Sequence, residues 1–212
     1  MEIYSYFALA FDYFNSVFFD ETLPSCVFTL QRVKRVKGYF MEGRFSFGEK
    51  TVSEIALNPA YFGVLTDVQI LSTLVHEMCH LNQAVLGKRN CPGYHSVSWA
   101  NDMKSCGLVP SDTGKEGGKE TGYHVTQYVP SSSVFLVHCR HLLEQGFSIS
   151  LRDRNLDDAV ARELSAGKKK IQKDSLQGRR FKYTCLCGIN VWGKKGLRIY
   201  CGECNSEFKC NF

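Results

Sequence analysis

"LVHEMCHL", residues 74–81, sets a glutamate between two histidines four positions apart. On a helix turning 100° per residue, His76 and His80 sit one above the other with Glu77 at their flank. Two imidazoles at that spacing can bind one metal ion, with the carboxylate beside a water on that ion. Leu71, Leu74, Val75, Met78, Leu81 and Val85 gather on the opposite face. The histidine pair therefore points away from the main core, whereas a core histidine would share the apolar stripe.

The helix has readable limits. Thr66 followed by Gln69 forms a capping box, Asp67 suits the positive end of the dipole, and Gly87 marks the stop. A catalytic zinc takes three protein ligands and leaves one position for water. Gln83 and Leu86 stand where a metzincin needs glycine and histidine, which excludes that pattern. Glu116 and Glu120 fall in "SDTGKEGGKETG", a polar glycine-rich loop. His95 remains, in "GYHSVSWANDM", opening a helix expected over 95–106 and closed by Gly107 and Pro110. A helix–loop–helix hairpin can return it to the metal. His124, His138 and His141 are weaker candidates, and Tyr61, Tyr94 or His124 are candidate donors to an oxyanion.

Upstream, "MEIYSYFALAFDYFNSVFF" carries one apolar helical stripe and no positive leader region, so it reads as a core helix rather than a signal peptide. "VFTLQRV", "GYFME", "RFSFG" and "SEIALNP" read as four short strands. Downstream, "HVTQYV" reads as a strand, and "SVFLVHC" as a strand or the start of a helix through "RHLLEQG". "NLDDAVARELSAG" reads as a short helix. The order predicts an α+β fold.

The chain has 212 residues, 44% of them apolar and 22% charged, in the range of soluble globular proteins. No stretch reaches the roughly 18 uninterrupted apolar residues of a membrane span, and the expected location is the cytoplasm. Ten cysteines in a reducing compartment point to metal rather than disulfides. Cys185 and Cys187, then Cys201 and Cys204, form two close pairs around a short hairpin, which marks a structural zinc site. Cys26, Cys79, Cys91, Cys106 and Cys139 are expected as buried thiols. Residues 148–212 hold 14 Lys and Arg against 7 Asp and Glu, while the first 147 hold 12 against 14. A basic tail on a mildly acidic body predicts an anionic partner. Lys168, Lys169, Lys170, Arg179, Arg180, Lys182, Lys194, Lys195 and Arg198, with Trp192, are the candidate nucleic-acid contacts. Trp192 has an alternative role as a cover for the small core of the tail.

HExxH, a loop, and a histidine shortly before a tryptophan in a second helix resemble the SprT-like metalloproteases. "FNSVFFDETLP", "GYF" and "IALNP" are similar to that family's first helix and strand segments, and "YTCLCG…IYCGEC" to its C-terminal zinc ribbon. The resemblance covers residues 1–110 and about 181–209. It implies a zincin-like metalloprotease domain over 1–147, with 111–147 lacking a clear counterpart, a basic linker over 148–180, and a zinc ribbon over 181–212. It further implies a zinc endopeptidase acting on proteins trapped on DNA, nucleoid-associated if the source is bacterial. His76, His80 and His95 would hold a catalytic zinc, Glu77 would be the general base, and the four cysteines would hold a second zinc. The partners expected are a protein substrate and single-stranded or junction DNA, with no membrane. Two rivals stand beside this reading: a zinc-stabilised nucleic-acid-binding protein without protease activity, and a zinc peptidase unrelated to DNA.

Overall fold

The structure, a computed structural model, describes residues 3–88, 91, 93–151, 153, 181–194 and 196–211. The chain divides into two compact units, Met1–Arg162 and Glu163–Phe212. The short helix expected at 155–167 and the lysine-rich stretch after it lie outside the described residues. No helix among the described residues is long and apolar enough to cross a membrane.

The first unit opens with helix α1, Ile3–Phe18. Its stripe behaves as the periodicity demands, with Phe7, Ala10, Phe11 and Phe14 buried. Strands β1 (Val27–Leu30), β2 (Gly38–Phe47) and β3 (Lys50–Leu57) come next. They form one sheet of order β1-β3-β2, with β1 parallel and β2 antiparallel to β3, which leaves β2 at an edge. "GYFME" and "RFSFG" belong to this single strand β2. Between Met41 and Phe45 the register shifts, and Gly43 takes φ +57°, so the chain bulges there instead of breaking.

Asn58 ties the sheet to the turn that leads into the histidine helix. Buried at the end of β3, it donates to the Val33 and Val36 carbonyls at 2.8 and 2.7 Å. Its Oδ1 accepts from Ala60 N at 3.1 Å, capping the short 3-10 turn Pro59–Tyr61. Helix α2, Asp67–Val85, then starts at Thr66 with both bonds of the capping box in place. Leu71, Leu74, Val75, Met78 and Leu81 enter the core. Val85, expected on the same face, is exposed because the last turn runs past the packed part of the helix.

Helix α3, Val97–Ser105, is capped by Ser96. It leads into strand β4, Val109–Ser111, which pairs antiparallel with β5, Thr126–Tyr128. "SVFLVHC" proves to be the first turns of helix α4, Val134–Glu144, capped by Ser133. Phe135, Cys139 and Leu142 fall at helical spacing and all reach the core, whereas Val134 and Val137 stay exposed. Phe147, Ile149 and Asp153, the last two assigned from sequence to the linker, pack on this unit. Phe147 and Ile149 are buried in its core, and Arg32 Nε lies 2.7 Å from the buried Asp153 carboxylate. Of the five cysteines expected to be buried, Cys79, Cys106 and Cys139 are. Cys26 is half-buried, and Cys91 is exposed on the loop before His95.

The second unit is a three-stranded antiparallel sheet of order β7-β6-β8, from β6 (Phe181–Thr184), β7 (Asn190–Gly193) and β8 (Lys209–Asn211). Among the described residues its buried centre is Tyr183, Cys185, Cys201 and Phe208.

The junction between α3 and α4 rests on one glycine. Gly107 has φ +81°, and a Cβ there would lie 2.6 Å from Ser133 Oγ and 2.9 Å from Phe135 N. Its carbonyl also accepts the Ser133 hydroxyl. Gly107→Ala meets both a disfavoured φ and a backbone clash, so chemical denaturation should show a loss of about 2 kcal/mol or more.

Candidate active site

Helix α2 presents His76, Glu77 and His80, and the residue before the cap of α3 presents His95. The candidate ligand atoms of the three histidines lie within 4.8 Å of one another. His76 Nε2 and His95 Nε2 are 3.2 Å apart. Two nitrogens on a tetrahedral zinc with bonds of about 2.0–2.1 Å are roughly 3.4 Å apart, so the separation fits that ion.

The far nitrogens explain why the Nε2 atoms converge. His76 Nδ1 lies 2.9 Å from Gln127 Oε1, and Gln127 Nε2 donates to Ser72 Oγ at 3.0 Å. His95 Nδ1 lies 3.0 Å from the Gly122 carbonyl. Each acceptor places the proton on Nδ1 and leaves the Nε2 lone pair for a metal. His95 is itself fixed by an isolated antiparallel bridge, with His95 N to Gly122 O at 2.9 Å and Gly122 N to His95 O at 3.0 Å.

Trp99, fully buried, backs the cluster. Its ring centroid is 4.7, 5.2 and 4.3 Å from those of His76, His80 and His95, and it stacks on His80 with 21° between planes. Burial, reinforced by the neighbouring imidazoles, holds His76 well below its ordinary pKa and His80 down to about 3. Burial also lowers His95. Three imidazoles kept neutral are the donor set that zinc requires.

Burial pushes the Glu77 carboxyl up to about 8, into the range where it can take and return a proton near neutral pH. Helix α2 packs so closely on β2 here that a Cβ on Gly38 would lie 2.9 Å from Thr73 Cγ2 and 3.2 Å from Glu77 Oε1. The glycine of "GYF" is what lets the carboxylate lie against the edge strand.

The cluster opens on a cleft of about 1440 Å³, walled by Gly38–Gly43 on one side and by Tyr94, Tyr123 and His124 among others. Tyr61 is buried against Ala60, Val64 and Leu65 and does not line the cleft. Among the described residues the histidine cluster does not include His124, His138 or His141. Tyr13 Oη lies 2.9 Å from His138 Nδ1, and its ring stacks on His141. Glu120 pairs with Lys104 at 2.6 Å. Gln127 and Tyr123 had no sequence signal beyond lying in or beside an expected strand, because only the chain's return past α2 brings them to the site.

In the second unit, Cys185, Cys187, Cys201 and Cys204 form the other metal-competent group among the described residues, and Cys210 is outside it. The Cys185–Cys204 and Cys187–Cys201 sulfurs are 3.1 and 3.6 Å apart. Two tight turns create the cradle: Gly188 N bonds Cys185 O and Asn205 N bonds Cys201 O, both at 2.9 Å. Four sulfurs gathered this closely fit a tetrahedral thiolate site. Trp192 is 60% exposed and so does not cover the small core. It stands opposite Lys182 on β6. Lys194 is exposed, and Arg198 is exposed with Nε 3.3 Å from Glu207 Oε1. Lys168, Lys169, Lys170, Arg179, Arg180 and Lys195 lie outside the described residues.

No solved structure matches the chain. A protein of Salmonella typhimurium described as "Uncharacterized protein in mucB 3'region" is 45% identical over 56 residues, covering 26% of this chain and 76% of that protein. The SprT-like family model matches residues 8–125, more than half of the sequence, and that match takes in the histidine pair, Glu77, His95 and Gly122. The chain belongs to the SprT-like family.

Proposed function

We propose that the chain is a zinc-dependent endopeptidase, zincin-like in its first unit, that cuts proteins bound or crosslinked to DNA. One observation carries the peptidase reading: three neutral imidazoles and a buried carboxylate converge at the wall of an open cleft. Structural zinc sites close on four protein ligands, whereas catalytic ones keep a position for water. Among the described residues the histidine cluster offers three ligands, which weighs against a purely structural metal.

Zinc held by His76, His80 and His95 would supply a Lewis acid that lowers the pKa of water and polarises a carbonyl. Glu77 receives the proton of the attacking water and returns it to the leaving amine. Gln127 and the Gly122 carbonyl keep two of the imidazoles aimed, and Trp99 keeps bulk water from behind them. Strand β2, at the edge of its sheet among the described residues, offers backbone N–H and C=O groups to an extended polypeptide beside Glu77. A chain that enters the cleft in extended form has to leave its own fold, so the substrate is an unfolded or loosened segment.

The second unit serves as a zinc ribbon on a basic tail that recruits nucleic acid. The charge excess beyond residue 148 and the exposed Trp192 beside Lys182 support this assignment. Four thiols held ready for metal suit a reducing compartment, which supports a cytoplasmic location, with nucleic-acid binding drawing the protein to the nucleoid in a bacterium.

Glu77→Gln should keep its zinc and lose about 10²- to 10⁴-fold in cleavage of an unfolded protein. Near wild-type turnover would remove Glu77 from its role. Elemental analysis should find about two zinc ions per chain, and Cys201→Ser should lose one of them. Loss of both ions would contradict independent sites. Single-stranded DNA should stimulate cleavage and bind with a log–log salt slope of roughly −3 to −4, if about four to six phosphates are neutralised. Deleting residues 168–212 should abolish the stimulation and leave the histidine site loaded. A truncated protein with the same DNA affinity and slope would leave a zinc peptidase whose activity owes nothing to that tail.

A further inference from the structure

The His95–Gly122 bridge also positions two aromatic rings. It is an antiparallel pair joined by both N–H···O bonds, so the next residues outward, Tyr94 and Tyr123, stand directly opposite each other. In that non-hydrogen-bonded position side chains approach most closely. The two rings meet edge-to-face, with centroids 5.2 Å apart. They are not core residues: Tyr94 is 38% and Tyr123 60% exposed, and both line the cleft that holds Glu77. Two large rings are thus held open to solvent in a concavity, one residue from a metal ligand and from the carbonyl that orients it. Neither hydroxyl has a hydrogen-bond partner among the described residues.

We propose that Tyr94 and Tyr123 form a subsite for a large apolar or aromatic side chain of the polypeptide substrate, close to the bond that is cut. Aromatic rings give broad contact area at a low cost in side-chain entropy, and an edge-to-face pair leaves ring faces free for a third apolar group. The occupant is an unfolded polypeptide because the subsite is continuous with the cleft bounded by the β2 edge, where an extended chain fits. Such segments are also where large apolar side chains become exposed. The subsite rests on the peptidase reading and gives it a sequence preference. A simpler role, in which the ring pair only staples the bridge that fixes His95, predicts lost zinc but no substrate preference.

The test uses the zinc-loaded full-length chain and ten-residue peptides that differ at a single position, carrying Phe, Leu, Ala or Asp. The wild type should cut the Phe and Leu peptides about 10- to 100-fold better in kcat/KM than the Ala peptide, the discrimination expected of one apolar pocket. In Tyr94→Ala/Tyr123→Ala that ratio should fall to within about threefold, mainly through KM, with zinc content unchanged. Tyr94→Phe/Tyr123→Phe should keep the preference. Equal cleavage of all peptides by the wild type, or a preference that survives the double alanine variant, overturns the subsite. Loss of kcat in the phenylalanine pair assigns the hydroxyls, not the ring faces, and overturns it as well. Loss of zinc in the double alanine variant reduces the pair to a staple. Should the zinc-loaded wild type cut nothing, the peptidase reading fails. Fluorescence anisotropy of labelled peptides then decides the subsite separately: tighter binding of the Phe peptide, lost in the double alanine variant, sustains it, and equal binding ends it.

Discussion

Everything at the candidate site depends on the close packing of Trp99 against three imidazoles. A histidine cluster open to water would take up protons as the pH falls below neutral and would then repel a cation. Here the indole, fully buried, removes water from behind all three rings, and burial is the first cause of their lowered pKa values. The same helix, α2, carries Leu71, Leu74 and Met78 into the core on its other side. It is therefore pinned on both faces, and His76 and His80 inherit the rigidity of the core.

Desolvation works in opposite directions on neighbouring groups. It keeps the imidazoles neutral, which favours metal binding, and it raises Glu77 to about 8, which favours proton transfer. One dry wall thus shifts a carboxyl and its neighbouring imidazoles in opposite directions. Glu77 stands outside the histidine group, with Oε1 against Gly38 on the edge strand, where a Cβ would come within 3.2 Å of it.

The two units reach stability by different routes. The first has a core that runs from Phe7 on α1 to Ile149, past the end of α4. Among its described residues the second buries four side chains at its centre, two of them cysteines, a small core for a unit without a cross-link. Metal at the four thiols would supply most of its folding free energy. That leaves its exposed residues, Trp192 and Lys182 among them, free for contacts outside the molecule.

Local patterns were legible in the sequence because each rests on interactions within a few residues. The stripe of α1, the capping box at Thr66, the stop at Gly87, the HExxH pair and the two cysteine pairs all come from helix geometry, turn chemistry or ligand spacing. His95 was reachable too, since a helix hairpin limits where the next histidine can go. The continuity of β2 through Gly43 was not legible, because a glycine with positive φ serves a bulge as well as a turn. "SVFLVHC" fits both a strand and a helix until the core accepts Phe135, Cys139 and Leu142 together. Gln127 behind His76, Gly122 behind His95, and the Tyr94–Tyr123 pair were decided only by tertiary structure. Each of these depends on a segment 27 to 51 residues away in sequence closing on the helix hairpin, and no local periodicity encodes where such a segment will land.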